Sequence, residues 1–379
     1  MSSQPKDIAG LKLRHPKEEA YEQKTTRELI PLSEVLPLGT PLSLMVDPTN
    51  CCNFRCIFCP TGDEALLRSV HRPKGYMSLE LFKKIADDMR AFPDRIKELL
   101  LYKDGEPLLN PSIVEMIAYA KARNVAQKVA LVTNGSLLTD ERINGLLSAG
   151  LDAIKISVEH MTDEGYARVA RANCSYREIH TRVARLFAER ERRSHPLLID
   201  LKVLDIDLAE AERVRFIEDY APICDYMHFD TLMGWSRSDR KDFTLGQKVS
   251  RGMDSLNVLS PERLVCPNPF KTLAVNFDGS VTVCCVDWSH ALCVGDVKSE
   301  PLTEIWRGER LRTLREVHLR GQRGRYSACA NCQYFQGMHP INDLDHHAER
   351  LLPLYGLESL SSPLADSRAN QDSQSKERR

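Results

Sequence analysis

Two groups among the chain's twelve cysteines have the spacing of cluster or metal ligands. Cys52, Cys56 and Cys59 form a C-x3-C-x2-C triplet. Three thiolates on one short loop can hold three irons of a cubane, and with no fourth local ligand the last iron keeps an open position. An open iron suits a chelating ligand such as an α-amino acid. A structural zinc site wants four closed ligands, commonly as C-x2-C pairs, and the triplet fits that poorly. Cys51 is a weak spare, because adjacent cysteines rarely ligate one metal together. The second group is Cys266, Cys284, Cys329 and Cys332, with Gly279 between the first two and a C-x2-C pair at the end. Four thiolates can close every iron of a second cubane, and they suit a zinc ribbon equally well; spacing alone leaves these readings even.

The elements around the cysteines alternate. A buried strand over residues 41–46 feeds the loop 47–62 that carries the triplet. Ser78 caps a helix to residue 92, and strand 98–102 follows. Asn110 and Pro111 open a helix to about residue 124, then strand 128–133 closes on Asn134-Gly135. A helix from Thr139 ends at Gly150, a C′ glycine, ahead of strand 153–158. Ser175 caps a helix to residue 193; strand 197–204, helix 209–220 and strand 226–229 complete the series. This α/β alternation predicts a parallel sheet with right-handed crossovers, an open barrel or a sheet with helices on both faces. Residues 233–260 are polar and aperiodic and read as a connector. Residues 272–277 and 281–283 flank Asp278-Gly279 as a β-hairpin, and 301–319 as an amphipathic helix. The expected organisation is an N-terminal arm (1–40), a barrel unit (41–232), a connector (233–260), a small second unit (261–340) and a tail (341–379), disordered at its end.

Composition narrows the setting. The chain has 379 residues, is 42% hydrophobic and 28% charged, and carries a formal net charge of −1. That balance gives no global field for nucleic acid or an anionic membrane. Arg237, Arg240 and Lys241 make a local basic cluster that Asp239 and Asp242 dilute; a solvated loop is the expected reading. No apolar stretch is long enough to span a bilayer and the start lacks a signal h-region, so a cytoplasmic location is expected. In that reducing setting twelve cysteines point to metal or cluster ligation rather than disulfides.

The triplet with aromatic Phe58 before its last cysteine resembles the signature of the radical S-adenosylmethionine (SAM) superfamily. The resemblance spans residues 41–334 and implies a partial (β/α)6 barrel. It also implies that an open iron binds the amino and carboxylate groups of SAM, and that reductive cleavage yields a 5′-deoxyadenosyl radical. Gly105-Glu106-Pro107 stands where the family places a GGE-type motif for the SAM ammonium, which a carboxylate suits; Asp104 replaces the first glycine. By position, Ser157 and Arg171 become candidates for the SAM carboxylate and Asn134 for the ribose. Cys266, Cys284, Cys329 and Cys332 resemble the SPASM and shorter twitch extensions, which carry auxiliary [4Fe-4S] clusters, and residues 333–344 add no cysteine, so one auxiliary cluster is implied. A flavodoxin- or ferredoxin-type electron donor is implied by the family.

Cys51, Cys174, Cys224, Cys285 and Cys293 read first as small apolar residues; Cys285 and Cys293, near the second group, are the candidates for returning hydrogen to a substrate radical. A closed second cluster can accept an electron, which suits dehydrogenation of a secondary alcohol; a sugar or aminocyclitol as the substrate is what the resemblance to single-auxiliary-cluster members, which include aminocyclitol dehydrogenases, implies. It needs a base, and Arg251, Asp254, Glu262 and Arg263 precede Cys266 without one standing out. The alternatives are redox-neutral epimerisation or dehydration, peptide modification, and a zinc-stabilised scaffold without catalysis.

Overall fold

The computed structural model describes residues 30–253 and 257–358. Most of the expected arm, Asp254 and the end of the tail lie outside the described residues. Six parallel strands run in the order β6-β5-β4-β3-β2-β1. They are β1 (Ser43–Val46), β2 (Ile96–Leu101), β3 (Ala126–Thr133), β4 (Ala153–Val158), β5 (Leu198–Leu204) and β6 (Tyr226–Asp230). Helices cross between them, including Leu79–Met89, Ile113–Arg123, Asp140–Ser148, Tyr176–Arg192 and Glu210–Tyr220. The Ser78 side chain accepts from Leu81 N, Thr139 accepts from Arg142 N, and Gly150 follows its helix at φ 79°. The helix after Asn110 starts later than its sequence signal, at Ile113. The Asn110 amide instead ties two loops by donating to the carbonyls of Pro48 (2.7 Å) and Met77 (3.0 Å).

The period-two pattern separates two faces. Ile154, Ile156 and Val158 of β4 are buried against helices, with Ile199, Leu201 and Val203 of β5 beside them. The alternate residues Lys155, Ser157, Asp200, Lys202, His228 and Asp230 point to the opposite face. Register places Ser157 beside Lys202 and Lys202 beside His228. One helix-covered face and one polar face make a partial barrel rather than a sheet with helices on both sides.

The second unit continues the same sheet. β7 (Thr272–Val275) pairs parallel with β1, and β8 (Ser280–Thr282) and β9 (Gly295–Asp296) add antiparallel. The β7–β8 turn closes through Gly279 at φ 92°, where a side chain would be strained. The single helix expected over 301–319 is two, Leu302–Arg307 and Glu309–Leu319, because Gly308 is extended (ψ 158°). The helices Leu32–Val35 and Ala348–Leu354 pack together on Val265, Phe270 and Leu319, so the chain on both flanks covers the second unit. No described helix is long and apolar enough to cross a membrane.

β1 is thus bonded on both edges, to β2 and to β7. Leu44, fully buried in it, should be costly to truncate. Leu44→Ala is expected to destabilise by about 2–5 kcal/mol, read as a lower urea midpoint, with barrel and second-unit probes melting together.

Candidate functional site

The triplet occupies the loop after β1, where strand C-termini of such sheets place their chemistry. Two backbone bonds hold it: Arg55 N–H donates to Ala170 C=O and Ile57 N–H to Val169 C=O, both 2.9 Å. The acceptors belong to a π-helical turn, Tyr166–Ala170, and Phe54 meets Tyr166 edge-on at 6.3 Å. Phe58 lies against Val169, Ile206 and Leu232. Gly105 lets the second motif approach, since a Cβ there would fall 2.2 Å from Thr49 O and 2.4 Å from Cys51 O. Glu106 N–H then donates to Cys51 C=O at 2.9 Å.

Glu106 is 2% exposed. Its Oε1 accepts from Thr133 Oγ1 (2.7 Å) and Leu108 N (3.0 Å), and Oε2 from Asn134 N (2.8 Å). A carboxylate has about four acceptor positions, so Oε2 keeps one for a further donor. Burial pushes this carboxyl up to about 7, although the three hydrogen bonds act downward. The Asn134 amide donates to Asn53 Oδ1 at 3.0 Å, and Asn53 donates to Ser136 Oγ at 2.8 Å. The cysteine loop, the Gly105-Glu106-Pro107 motif and the end of β3 are therefore one hydrogen-bonded unit. Ser157 points to the polar interior with Glu159, while Arg171 is exposed at φ 48°.

Asp104, out of pattern for its motif, has a different task. Its Oδ2 accepts from Arg72 (2.8 Å), Lys103 (2.6 Å) and His290 (3.0 Å), and its carbonyl accepts from Thr61 Oγ1 (2.6 Å). Lys103 also donates to Asp287 C=O (3.3 Å) and Arg72 to Trp288 C=O (2.7 Å). Burial opposes charge on Asp104, yet Lys103 and Arg72 hold it well below the ordinary carboxylate range. Asp47, fully buried beside it, is pushed up to about 7 by burial and by Asp104. Sequence reasoning missed Asp47, Arg72, Lys103 and His290. No local pattern marks partners so far apart in the chain.

In the second unit Cys266, Cys284, Cys329 and Cys332 line one cavity with Asn268, His318, Arg323 and Tyr334, walled by Val283, Leu292 and Phe335. Among the described residues no three His, Cys, Asp or Glu side chains are grouped as ligands of one ion. A cubane differs from zinc in taking one thiolate per iron around a core. Burial raises the thiol pKa at both sites, to about 12 for Cys52 and for Cys266. Buried thiols ionise on taking up metal, and three thiols on one loop with four more lining one cavity match the thiolate sets that iron–sulfur clusters take. Cys285 lies against Cys284 and Tyr334, whereas Cys293 is exposed and bonds Gly295 C=O at 3.4 Å. Of the base candidates, Arg263 is buried and clamps the carbonyls of Phe335 and Met338, both at 2.9 Å, while Arg251 and Glu262 are exposed. In the basic cluster, Arg237 pairs with Asp239 (3.4 Å) and Lys241 with Asp63 (3.1 Å).

A partial barrel with a cysteine-triplet loop at its mouth, and a four-thiol pocket in the second unit, is an arrangement suited to iron–sulfur clusters. Residues 46–195 match the radical SAM superfamily model and residues 266–333 the SPASM iron–sulfur cluster-binding domain, each range enclosing one cysteine group. The chain thus carries a radical SAM superfamily domain followed by a SPASM iron–sulfur cluster-binding domain. It is 33% identical over 116 residues to the tungsten-containing aldehyde ferredoxin oxidoreductase cofactor-modifying protein of Pyrococcus furiosus. That match covers 31% of this chain and only 30% of the relative's length. The S-adenosyl-L-methionine-dependent 2-deoxy-scyllo-inosamine dehydrogenase of Niallia circulans is 20% identical over 289 residues, covering 76% of this chain and 90% of that protein. The fold is similar to Streptococcus suis SuiB bound to S-adenosylmethionine, with TM-score 0.55, 11% identity, and coverage of 86% of this chain and 79% of that one.

Two substitutions test the site. Asp104→Ala strands Lys103 and Arg72 without their carboxylate and should cost about 3–5 kcal/mol, measured by chemical denaturation. Glu106→Gln removes a charged acceptor worth about 1.5–3 kcal/mol and should weaken SAM binding roughly 10- to 100-fold in anaerobic calorimetry, with iron content unchanged.

Proposed function

We propose that the chain is a radical SAM dehydrogenase that oxidises a secondary alcohol of a small polyhydroxylated substrate, a sugar or an aminocyclitol, and holds two [4Fe-4S] clusters. Cys52, Cys56 and Cys59 would hold the first cluster, and Cys266, Cys284, Cys329 and Cys332 the second. When bound, these groups supply reductive cleavage of SAM to a hydrogen-abstracting radical and a one-electron acceptor for the substrate. Glu106 takes the SAM ammonium on the free position of Oε2. Ser157 serves the SAM carboxylate, Asn134 the ribose, and Arg171 is the more distant candidate for the carboxylate. A flavodoxin- or ferredoxin-type protein supplies the first electron.

The observation that carries this reading is the second pocket, where four cysteines line one cavity. A cluster with a protein thiolate on every iron has no corner for substrate, which leaves it electron transfer. The Niallia circulans relative supports the substrate class, because it is named as an aminocyclitol dehydrogenase and is matched along most of both chains. Epimerisation is the second reading. It is favoured by Cys285, which lies beside Cys284 and Tyr334 and would return hydrogen to a substrate radical.

Anaerobically purified protein is expected to be brown with about eight iron and eight sulfide per chain; colourless protein with stoichiometric zinc would contradict the proposal. Cys332→Ala should halve the iron, keep SAM cleavage and abolish product. With substrate deuterated at the carbinol carbon, oxidation should consume one SAM per product and move deuterium into 5′-deoxyadenosine. Retention of cleavage with solvent hydrogen appearing in an isomeric product would instead establish epimerisation.

A further inference from the structure

Oxidation of an alcohol releases a hydroxyl proton. The base candidates ahead of Cys266 that the structure describes are a carbonyl clamp, Arg263, and two exposed residues, Arg251 and Glu262. The barrel interior offers a different acceptor, in which five ionisable side chains of β4, β5 and β6 form one unbroken chain. Lys202 Nζ donates to Asp230 Oδ2 at 2.5 Å, and Asp230 Oδ1 lies 3.1 Å from His228 Nε2. His228 Nδ1 lies 3.3 Å from Asp200 Oδ1, and Asp200 Oδ2 lies 3.1 Å from Lys155 Nζ. Nitrogen and carboxylate groups thus alternate along every link. Position gives the chain a direction. Asp230 ends β6 at the edge where the cysteine triplet follows β1, whereas Lys155 and Asp200 pair two residues further from that edge than Ser157 and Lys202. The lysines at the two ends are partly exposed, while Asp200, His228 and Asp230 between them are buried. Glu159, just past β4, is a further carboxylate acting on Lys202 and Asp230 at the mouth. On β2 and β3 the same face carries Leu100, Ala130 and Val132, with Val132 beside Lys155 and the exposed Glu98–Lys128 pair at the far end. Buried ion pairs add little net stability where apolar residues would serve, so their confinement to one side of the barrel points to another role.

We infer that this chain conducts the hydroxyl proton of the substrate from the barrel mouth to solvent, entering at Lys202 and leaving at Lys155. Lys202 takes the proton as it passes one of its own to Asp230. His228 relays between Asp230 and Asp200, and Lys155 releases a proton to water and recovers one from Asp200. An imidazole between two carboxylates suits the central link, because one ring nitrogen accepts while the other donates. The balance is simple: one O–H bond breaks at the substrate and one proton leaves the protein. The carbinol hydrogen departs as an atom to the 5′-deoxyadenosyl radical and one electron goes to the acceptor proposed above, which leaves the carbonyl. The inference rests on the dehydrogenation reading, and product formation by the wild-type enzyme separates the failure of that reading from the failure of the chain.

The test uses the anaerobic holoenzyme with SAM, a chemical reductant and 2-deoxy-scyllo-inosamine deuterated at its carbinol carbons. The wild type should form ketone and deuterated 5′-deoxyadenosine in equal amounts. His228→Gln keeps a polar group between the carboxylates but cannot relay, and Asp200→Asn cuts the chain away from the mouth. Both should retain wild-type iron, SAM cleavage and deuterium transfer, while ketone per 5′-deoxyadenosine falls roughly 10- to 100-fold and a substrate radical accumulates in the EPR spectrum. Imidazole added to His228→Gly should restore ketone formation. A wild-type ratio in either variant that retains its iron would overturn the inference, as would SAM cleavage falling in step with ketone or loss of iron from both variants, which would make the chain structural. Wild-type enzyme with its full iron that forms no ketone would overturn the substrate reading and the inference with it.

Discussion

One oxygen of one aspartate joins the two halves of this molecule. Asp104 Oδ2 receives Arg72 from the segment after the cysteine loop, Lys103 from the end of β2 and His290 from the SPASM unit. Two carboxylates, Asp47 and Asp104, face two cations in a space closed to water, so each partner depends on the others for compensation. The position is one where the superfamily motif would carry glycine. A side chain there lets the Gly105-Glu106-Pro107 segment also grip the unit that carries the second cysteine group. The same grip brings Asp287 and Trp288 against the barrel, just past Cys284 and Cys285.

The first site depends on a second constraint, the pinning of a short loop from several sides. Carbonyls of the π-turn hold Arg55 and Ile57, Gly105 allows backbone contact, and Asn53 is tied to Asn134 and Ser136. π-turns concentrate at functional sites, and here the turn supplies two well-placed acceptors. The loop geometry is therefore imposed by the ends of β3 and β4 as much as by the loop itself. Pinning of this kind removes conformational freedom before any ligand arrives, which is how a protein pre-organises a site.

The βα alternation was legible because strands such as β2, β3 and β4 carry a period-two core face and several helices a cap or stop residue such as Ser78, Thr139 or Gly150. The cysteines were legible because ligand chemistry demands residue types at fixed spacing. Two structural features had no such local mark. Gly308 breaks a helix whose apolar periodicity runs straight through it, and β7 pairs with β1 across a long separation in the chain. The Asp104 hub was invisible for the same reason, since Arg72, Asp104 and His290 meet only in three dimensions. Exposure also separates residues that read alike in sequence: Cys285 is partly buried against Cys284 and Tyr334 while Cys293 is exposed, and Arg263 is a buried clamp while Glu262 is exposed.

The central requirement is that Cys52, Cys56 and Cys59 would leave one iron of a bound cluster without a protein thiolate and open to the amine of SAM. Electron–nuclear double resonance on the reduced enzyme with SAM labelled with nitrogen-15 at its amine reads that vacancy directly. The account predicts a hyperfine coupling from the labelled amine to the cluster held by Cys52, Cys56 and Cys59. Bound SAM with no coupling to that cluster would contradict it.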